Sequence, residues 1–150
     1  MRRRKLFLYG ALTLLVMALI FFMSSRDGTE SGGMSAWLLQ TAPGRFLIRL
    51  LPRLTEQGPE LDIRKYAHMG EFALLAVPSA LFFRELRRPG PLAAAILESL
   101  FFCVFYACTD EYHQTFVPGR AGTAKDVLVD LVGILFGLTI VLVICRKELK

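Results

Sequence analysis

The sequence is short of the groups that soluble enzymes and nucleic-acid binders rely on. It has only three cysteines, Cys103, Cys108 and Cys145, with no C-x-x-C pair among them. All three fall inside apolar runs, so the simplest reading makes them small buried hydrophobes rather than thiolate ligands. Charged residues are 21% of the chain, and the net charge of +5 comes from basic side chains that flank hydrophobic runs instead of sharing one polar face. That distribution argues against nucleic acid as a partner. An amphipathic period is also missing from most of the chain. Hydrophobic residues reach 54% and are gathered into long runs, giving a mean hydropathy of +0.47. A soluble domain is closer to about 45–50% apolar. Runs of about eighteen or more apolar residues indicate helices that cross a bilayer.

The first run, LFLYGALTLLVMALIFFM from Leu6 to Met23, follows the basic start MRRRK. It is longer than the roughly 7–15-residue core of a signal peptide, and no A-x-A-like cleavage site follows it, so an uncleaved helix is expected. The second run, HMGEFALLAVPSALFF, ends at Phe83 and contains Pro78, which membrane helices tolerate. A third run starts at Leu92 and a fourth covers Val127–Cys145. The expected fold is therefore all-α: a single domain, a four-transmembrane-helix bundle with spans at about 6–23, 66–83, 92–111 and 127–145.

Lysine and arginine set the expected orientation. Arg2, Arg3, Arg4 and Lys5 precede the first span, Arg84, Arg87 and Arg88 lie between the second and third, and Arg146, Lys147 and Lys150 follow the fourth. With an even number of spans these segments share one side, and the positive-inside rule makes that side, with both termini, cytoplasmic. The opposite side then carries the long segment Ser24–Lys65. Within it, GRFLIRLLPRL sets Arg45, Arg49 and Arg53 four residues apart among Phe46, Ile48, Leu50, Leu51 and Leu54. This suits a short amphipathic helix, lying in the headgroup layer or docked on the protein itself, and limited by Pro52.

Topology gathers the polar residues. His68 and Glu71 fall at the outer end of the second span, Asp110, Glu111 and Gln114 at that of the third, and Asp126 and Asp130 at that of the fourth. His68 and Glu71 are i and i+3, and Asp110 and Gln114 are i and i+4, so each pair shares a helix face. Asp126, Asp130, Gly133 and Gly137 trace one stripe, and Gly133-x-x-x-Gly137 permits close helix approach, which aims Asp130 into the bundle. Bland readings stand beside these. Thr123-x-x-Asp126 is a capping-box pattern, Val117-Pro118-Gly119-Arg120 fits a type II turn, and His68 alone could be a packed histidine. Glu71 and Asp130 ask for more, because a carboxylate at bilayer depth costs about 2.5–3.5 kcal/mol and needs a partner or a task. His68, Arg120, Lys65 and Lys125 are the available partners. Glu98, some 18 Å from Asp110 along a helix, belongs to the cytoplasmic half and could pair with Arg84 or Arg88.

The string Lys65-Tyr-Ala-His68-Met-Gly-Glu71-Phe72, then DEYHQTFVPGR from Asp110 to Arg120, then Asp126-x-x-x-Asp130-x-x-Gly133, resembles the VanZ-like membrane proteins. The Ser24-Ser25 pair after the first span is similar too. Many members carry asparagine where this chain has Asp130. The resemblance implies a small multi-pass protein of the bacterial inner (cytoplasmic) membrane, in a family associated with teicoplanin resistance, and it implies no particular reaction.

Two functions fit the residues. In one, His68, Glu71, Asp110, Glu111, Gln114, Arg120, Asp126 and Asp130 form an outer polar site that binds a membrane lipid, a lipid-linked envelope precursor or a lipoglycopeptide, with Lys65 and Arg120 meeting phosphate. In the other, the site hydrolyses or transfers a lipid phosphate or ester. The carboxylates Glu71, Asp110, Glu111, Asp126 and Asp130 could then hold a divalent cation, with His68 as general base or acid. No nucleophile motif accompanies them, which leaves catalysis open. A proton-coupled transporter ranks below both, because Glu98 alone is polar in the inner half.

Overall fold

The computed structural model describes residues 2–145, and it is all-helical there, with no strand among the described residues. Six helices follow one another: α1 (Arg2–Ser24), α2 (Gly28–Gln40), α3 (Ala42–Leu50), α4 (Pro59–Arg87), α5 (Leu92–Gln114) and α6 (Ala124–Ile144). Four of them, α1, α4, α5 and α6, are long and apolar enough to cross a membrane. The basic tail Arg146, Lys147 and Lys150 lies outside the described residues.

The apolar runs become helices because, without water, backbone groups must be satisfied within the segment. Their side chains are divided between a dry interior and an outward face. Ile20, Phe72, Leu75, Ile134 and Val141 are fully buried, whereas Phe101, Phe105 and Phe136 point outward at 67%, 70% and 64% exposure. A soluble protein does not leave so much contiguous apolar surface uncovered; a bilayer covers it. Cys103 and Cys145 are buried as expected, but Cys108 is exposed on this outward surface.

Helix α4 is the centre of the bundle and touches every other helix. Its closest neighbour is α6, and glycine explains the approach. A Cβ at Gly133 would collide with the carbonyl oxygen of Met69, and one at Gly137 with that of Ala73. The Gly133/Gly137 stripe therefore packs against α4, and it carries Asp130 into the interior at 1% exposure. Between α4 and α5, Ser79 Oγ meets Ser99 Oγ at 2.5 Å, a buried polar clasp of the kind that joins helices in lipid.

The chain alternates direction. Arg2 donates to the carbonyls of Glu85 and Leu86, and Arg84 to Cys145 Sγ, which brings both described ends to one end of the bundle. Glu98 also lies in this half, but its partner is Arg87, not Arg84 or Arg88; Arg88 faces Glu85 at 3.7 Å.

Two features depart from the sequence expectation. Helix α4 starts at Pro59, well before the apolar run, because Pro59 suits a first helical position and Glu60 and Asp62 favour the first turn. At 29 residues it is about 43 Å long, so its polar N-terminal turns project past the apolar layer. The arginine-spaced segment is helical only over Ala42–Leu50. Pro52 follows the cap residue Leu51, so Arg53 leaves the helix and its Nε donates to Asp62 Oδ2 at 2.7 Å. The stripe of three arginines is thus reduced to Arg45 and Arg49, with the exposed Phe46 and Leu50 on the neighbouring stripe about 100° round the helix.

Candidate functional site

The end of α1, the start of α4, the end of α5 and the start of α6 meet at one end of the bundle, held by the turn that joins α5 to α6. Val117-Pro118-Gly119-Arg120 closes with Arg120 N–H donating to the Val117 carbonyl at 3.1 Å, and Gly119 takes φ +72°, as a type II turn requires. The turn docks on the α1–α2 junction. Gly28 N–H donates to the Pro118 carbonyl at 2.9 Å, and a Cβ on Gly28 would strike the Gly119 carbonyl. The Arg120 guanidinium completes the joint. Nε donates to the Arg26 carbonyl at 2.9 Å, Nη2 to the Met23 carbonyl at 3.0 Å and Nη1 to Gln114 Oε1 at 3.3 Å. Burial, with Arg64 nearby, lowers the Arg120 pKa from the ordinary arginine value, though an arginine stays charged.

Beneath the turn, α5 contributes a buried acidic pair bridged by an amide. Gln114 Nε2 donates to Asp110 Oδ2 at 2.9 Å and to Glu111 Oε1 at 3.1 Å. Ser24 Oγ adds a second donor to Asp110 Oδ2 at 2.8 Å, and the Thr123 N–H reaches Glu111 Oε2 at 2.9 Å. Asp110, Glu111 and Gln114 are exposed by only 3%, 6% and 3%, and Asp110 Oδ1 has no partner.

The α4 and α6 residues face this network. His68 Nδ1 lies 3.9 Å from Glu71 Oε2, beyond hydrogen-bonding distance, and both atoms are buried without a hydrogen-bond partner. Asp130 Oδ2 is likewise buried and unpartnered. One ligand-type atom from each of His68, Glu111 and Asp130 lies within 4.8 Å of the other two. Asp126 is engaged differently. Its Oδ2 accepts from Thr123 Oγ1 at 2.8 Å while its N–H donates back, and Oδ1 pairs with Lys65 Nζ. The capping role read from Thr123-x-x-Asp126 is therefore present.

Two cavities open on these residues. A small one of about 20 Å³, enough for one water or ion, is lined by Arg64, Lys65, His68, Glu111, Gln114, Asp126, Val129 and Asp130. A larger one of about 280 Å³ lies between the end of α1, helix α2 and the first turns of α4. Met34, Trp37, Leu38, Ile63 and Ala67 give it apolar walls, and Arg64, His68, Glu71 and Arg120 give it a polar end.

The eight candidate site residues and Lys65 thus lie at one end of the bundle, with His68 beside Glu71 and Asp130 as expected but the basic side chains engaged elsewhere. Lys65 is taken by Asp126, and Arg120 by main-chain carbonyls and Gln114, so neither is an ion-pair partner of Glu71 or Asp130. Lys125 is exposed. Sequence reasoning missed Arg64, which lines both cavities one turn before His68; the i, i+4 spacing was the available signal. It also missed α2, whose Trp37 is the chain's one tryptophan.

Four apolar helices packed around a polar cluster at one membrane depth define a multi-span helical membrane protein. The VanZ/LLP1 family model matches residues 9–145, nearly the whole chain, and the chain belongs to that family. Neither the comparison with curated proteins nor that with solved structures returned a match.

Proposed function

We propose that this protein binds an amphiphile, a membrane lipid or lipid-linked envelope precursor, at the outer face of the bacterial cytoplasmic membrane. The observation that carries the reading is the 280 Å³ cavity, apolar along Met34, Trp37 and Leu38 and polar where Arg64, His68, Glu71 and Arg120 meet it. An apolar pocket with a few polar groups at one side suits a ligand with a chain and a head. Arginine's planar fork suits a phosphate head, and Arg120 keeps hydrogens on Nη1 and Nη2 beyond those already donated. A lipoglycopeptide with an acyl tail satisfies the same chemistry.

Orientation rests on Arg2, Arg3, Arg4 and Lys5 sharing an end with Arg84, Arg87 and Arg88, while the cavity is at the other end. The positive-inside rule makes the basic end cytoplasmic. Helices α2 and α3 then lie on the outer side, and exposed Phe46 and Leu50 dip into the headgroup layer with Arg45 and Arg49 toward phosphate.

Native mass spectrometry of the detergent-purified protein tests the binding. An amphiphile held at one per chain, and displaced in Ala67→Phe, supports the reading. Protein that carries no lipid, or lipid retained equally by Ala67→Phe, contradicts it.

A further inference from the structure

We propose that His68, Glu111 and Asp130 bind one divalent transition-metal cation, Zn²⁺ or Mn²⁺. Three helices supply the donors, α4, α5 and α6, and one ligand-type atom from each residue lies within 4.8 Å of the others. A cavity of about 20 Å³ opens beside them, the size of one ion or water. Asp130 gives the independent sign. It is 1% exposed, lines that cavity, and its Oδ2 has no hydrogen-bond partner. A buried carboxylate oxygen left without a donor is costly unless something else satisfies it.

The charge balance points the same way. Glu111 and Asp130 stand side by side at bilayer depth, where an uncompensated carboxylate is expensive. Lys65 is paired with Asp126, and Arg120 directs its hydrogen bonds to the Met23 and Arg26 carbonyls and to Gln114, so neither makes an ion pair with Glu111 or Asp130; Arg64 stands at the cavity wall. One divalent ion with neutral His68 cancels both charges.

The donor set selects the ion. One imidazole with two carboxylates is softer than the all-oxygen shell of Mg²⁺ or Ca²⁺ and resembles three-ligand zinc sites that leave a fourth position open. Bonds of about 2.0–2.2 Å set tetrahedral ligand atoms about 3.4 Å apart, so a pair at the 4.8 Å limit draws in by about 1.4 Å, which side-chain rotation supplies. Supporting contacts already hold one of the ligands. Gln114 and the Thr123 N–H fix both oxygens of Glu111. Asp110, bonded through Oδ2 to Ser24 and Gln114, and Asp126, paired with Lys65, are not among the three residues whose ligand atoms converge within 4.8 Å.

The ion site and the lipid cavity share only Arg64 and His68, so failure of one proposal leaves the other standing. The full chain, purified in detergent, is stripped with chelator and dialysed against Zn²⁺ or Mn²⁺, and bound metal is counted. The expected result is one ion per chain, falling at least about 10-fold in Glu111→Gln and Asp130→Asn and unchanged in Glu98→Gln. Should those variants not fold, pulsed electron paramagnetic resonance of Mn²⁺ bound to the unaltered chain gives the same decision. The chain has two histidines, and the imidazole nitrogen signal must persist in His113→Asn, which leaves only His68. No stoichiometric binding of either metal, equal binding by every variant, or no histidine signal overturns the proposal.

Discussion

Ser24 Oγ donates to Asp110 Oδ2 at 2.8 Å, joining the last residue of α1 to the buried acid of α5 across 86 positions of sequence. Serine here is the partner that lets a carboxylate stand inside the bundle. Ser24→Ala leaves Asp110 Oδ2 with Gln114 as its one side-chain donor, in an environment where Oδ1 already lacks a partner. The expected loss is about 1–3 kcal/mol, read as a lowered thermal midpoint in detergent.

The α4–α6 contact makes a sharper demand. In an open helical position, glycine to alanine gains about 0.5–1 kcal/mol. Gly33 in α2 is such a position, with nothing within 4 Å of a new Cβ, and Gly33→Ala is expected to stabilise or leave the protein unchanged. Gly133→Ala runs instead into the Met69 carbonyl and must part the helices, for a net cost of about 1–3 kcal/mol. Thermal unfolding of the two variants side by side measures the contrast.

Asp27 caps α2, accepting from the Glu30 N–H at 2.8 Å and from Thr29 Oγ1 at 2.6 Å. Those hydrogen bonds, Thr29's first, hold its pKa below the usual 3.8. A depressed folded-state pKa means the cap's contribution is complete above the unfolded value and fades as pH falls through the folded one. Amide exchange at Glu30 is therefore expected to quicken as pH drops below about 3.8, beyond the intrinsic trend. Asp27→Asn, still a good cap but uncharged, removes that extra pH dependence.

The proposed sidedness rests on the basic end and can be tested by labelling. In a cysteine-free background, Gln57→Cys is expected to react with a membrane-impermeant maleimide in intact cells. Arg3→Cys is expected to react only after permeabilisation. The reverse pattern would place the polar cluster on the cytoplasmic side.

Much of this arrangement was legible in the chain, and the parts that were not have physical reasons. The spans could be read because bilayer-length apolar runs leave little choice. The inward aim of Asp130 could be read because Gly133 and Gly137 share its stripe. Helix α2 could not, since Gly28, Gly32 and Gly33 weaken any local helical preference, and it is held by Asp27, by the Gly28–Pro118 hydrogen bond and by docking on α4. Ion-pair partners were also out of reach. Asp62 takes Arg53 because the Leu54 and Thr55 N–H groups already orient its carboxylate, a loop geometry that no spacing encodes. The reach of Arg120 to carbonyls of Met23 and Arg26, more than ninety positions away, belongs to the same class.

The central claim is that the cavity beside α2 holds an amphiphile with its head toward His68 and Glu71. Photo-crosslinking in native membranes tests it most directly, using one phospholipid with the reactive group at the end of its acyl chain and one with it on the headgroup. The tail probe is expected to label the Ser31–Leu38 stretch of α2, and the head probe Arg64–Glu71 together with the Arg120 turn. Tail labelling spread over the outward faces of α5 and α6, at Phe101, Phe105 and Phe136, with no enrichment in α2, would contradict the account.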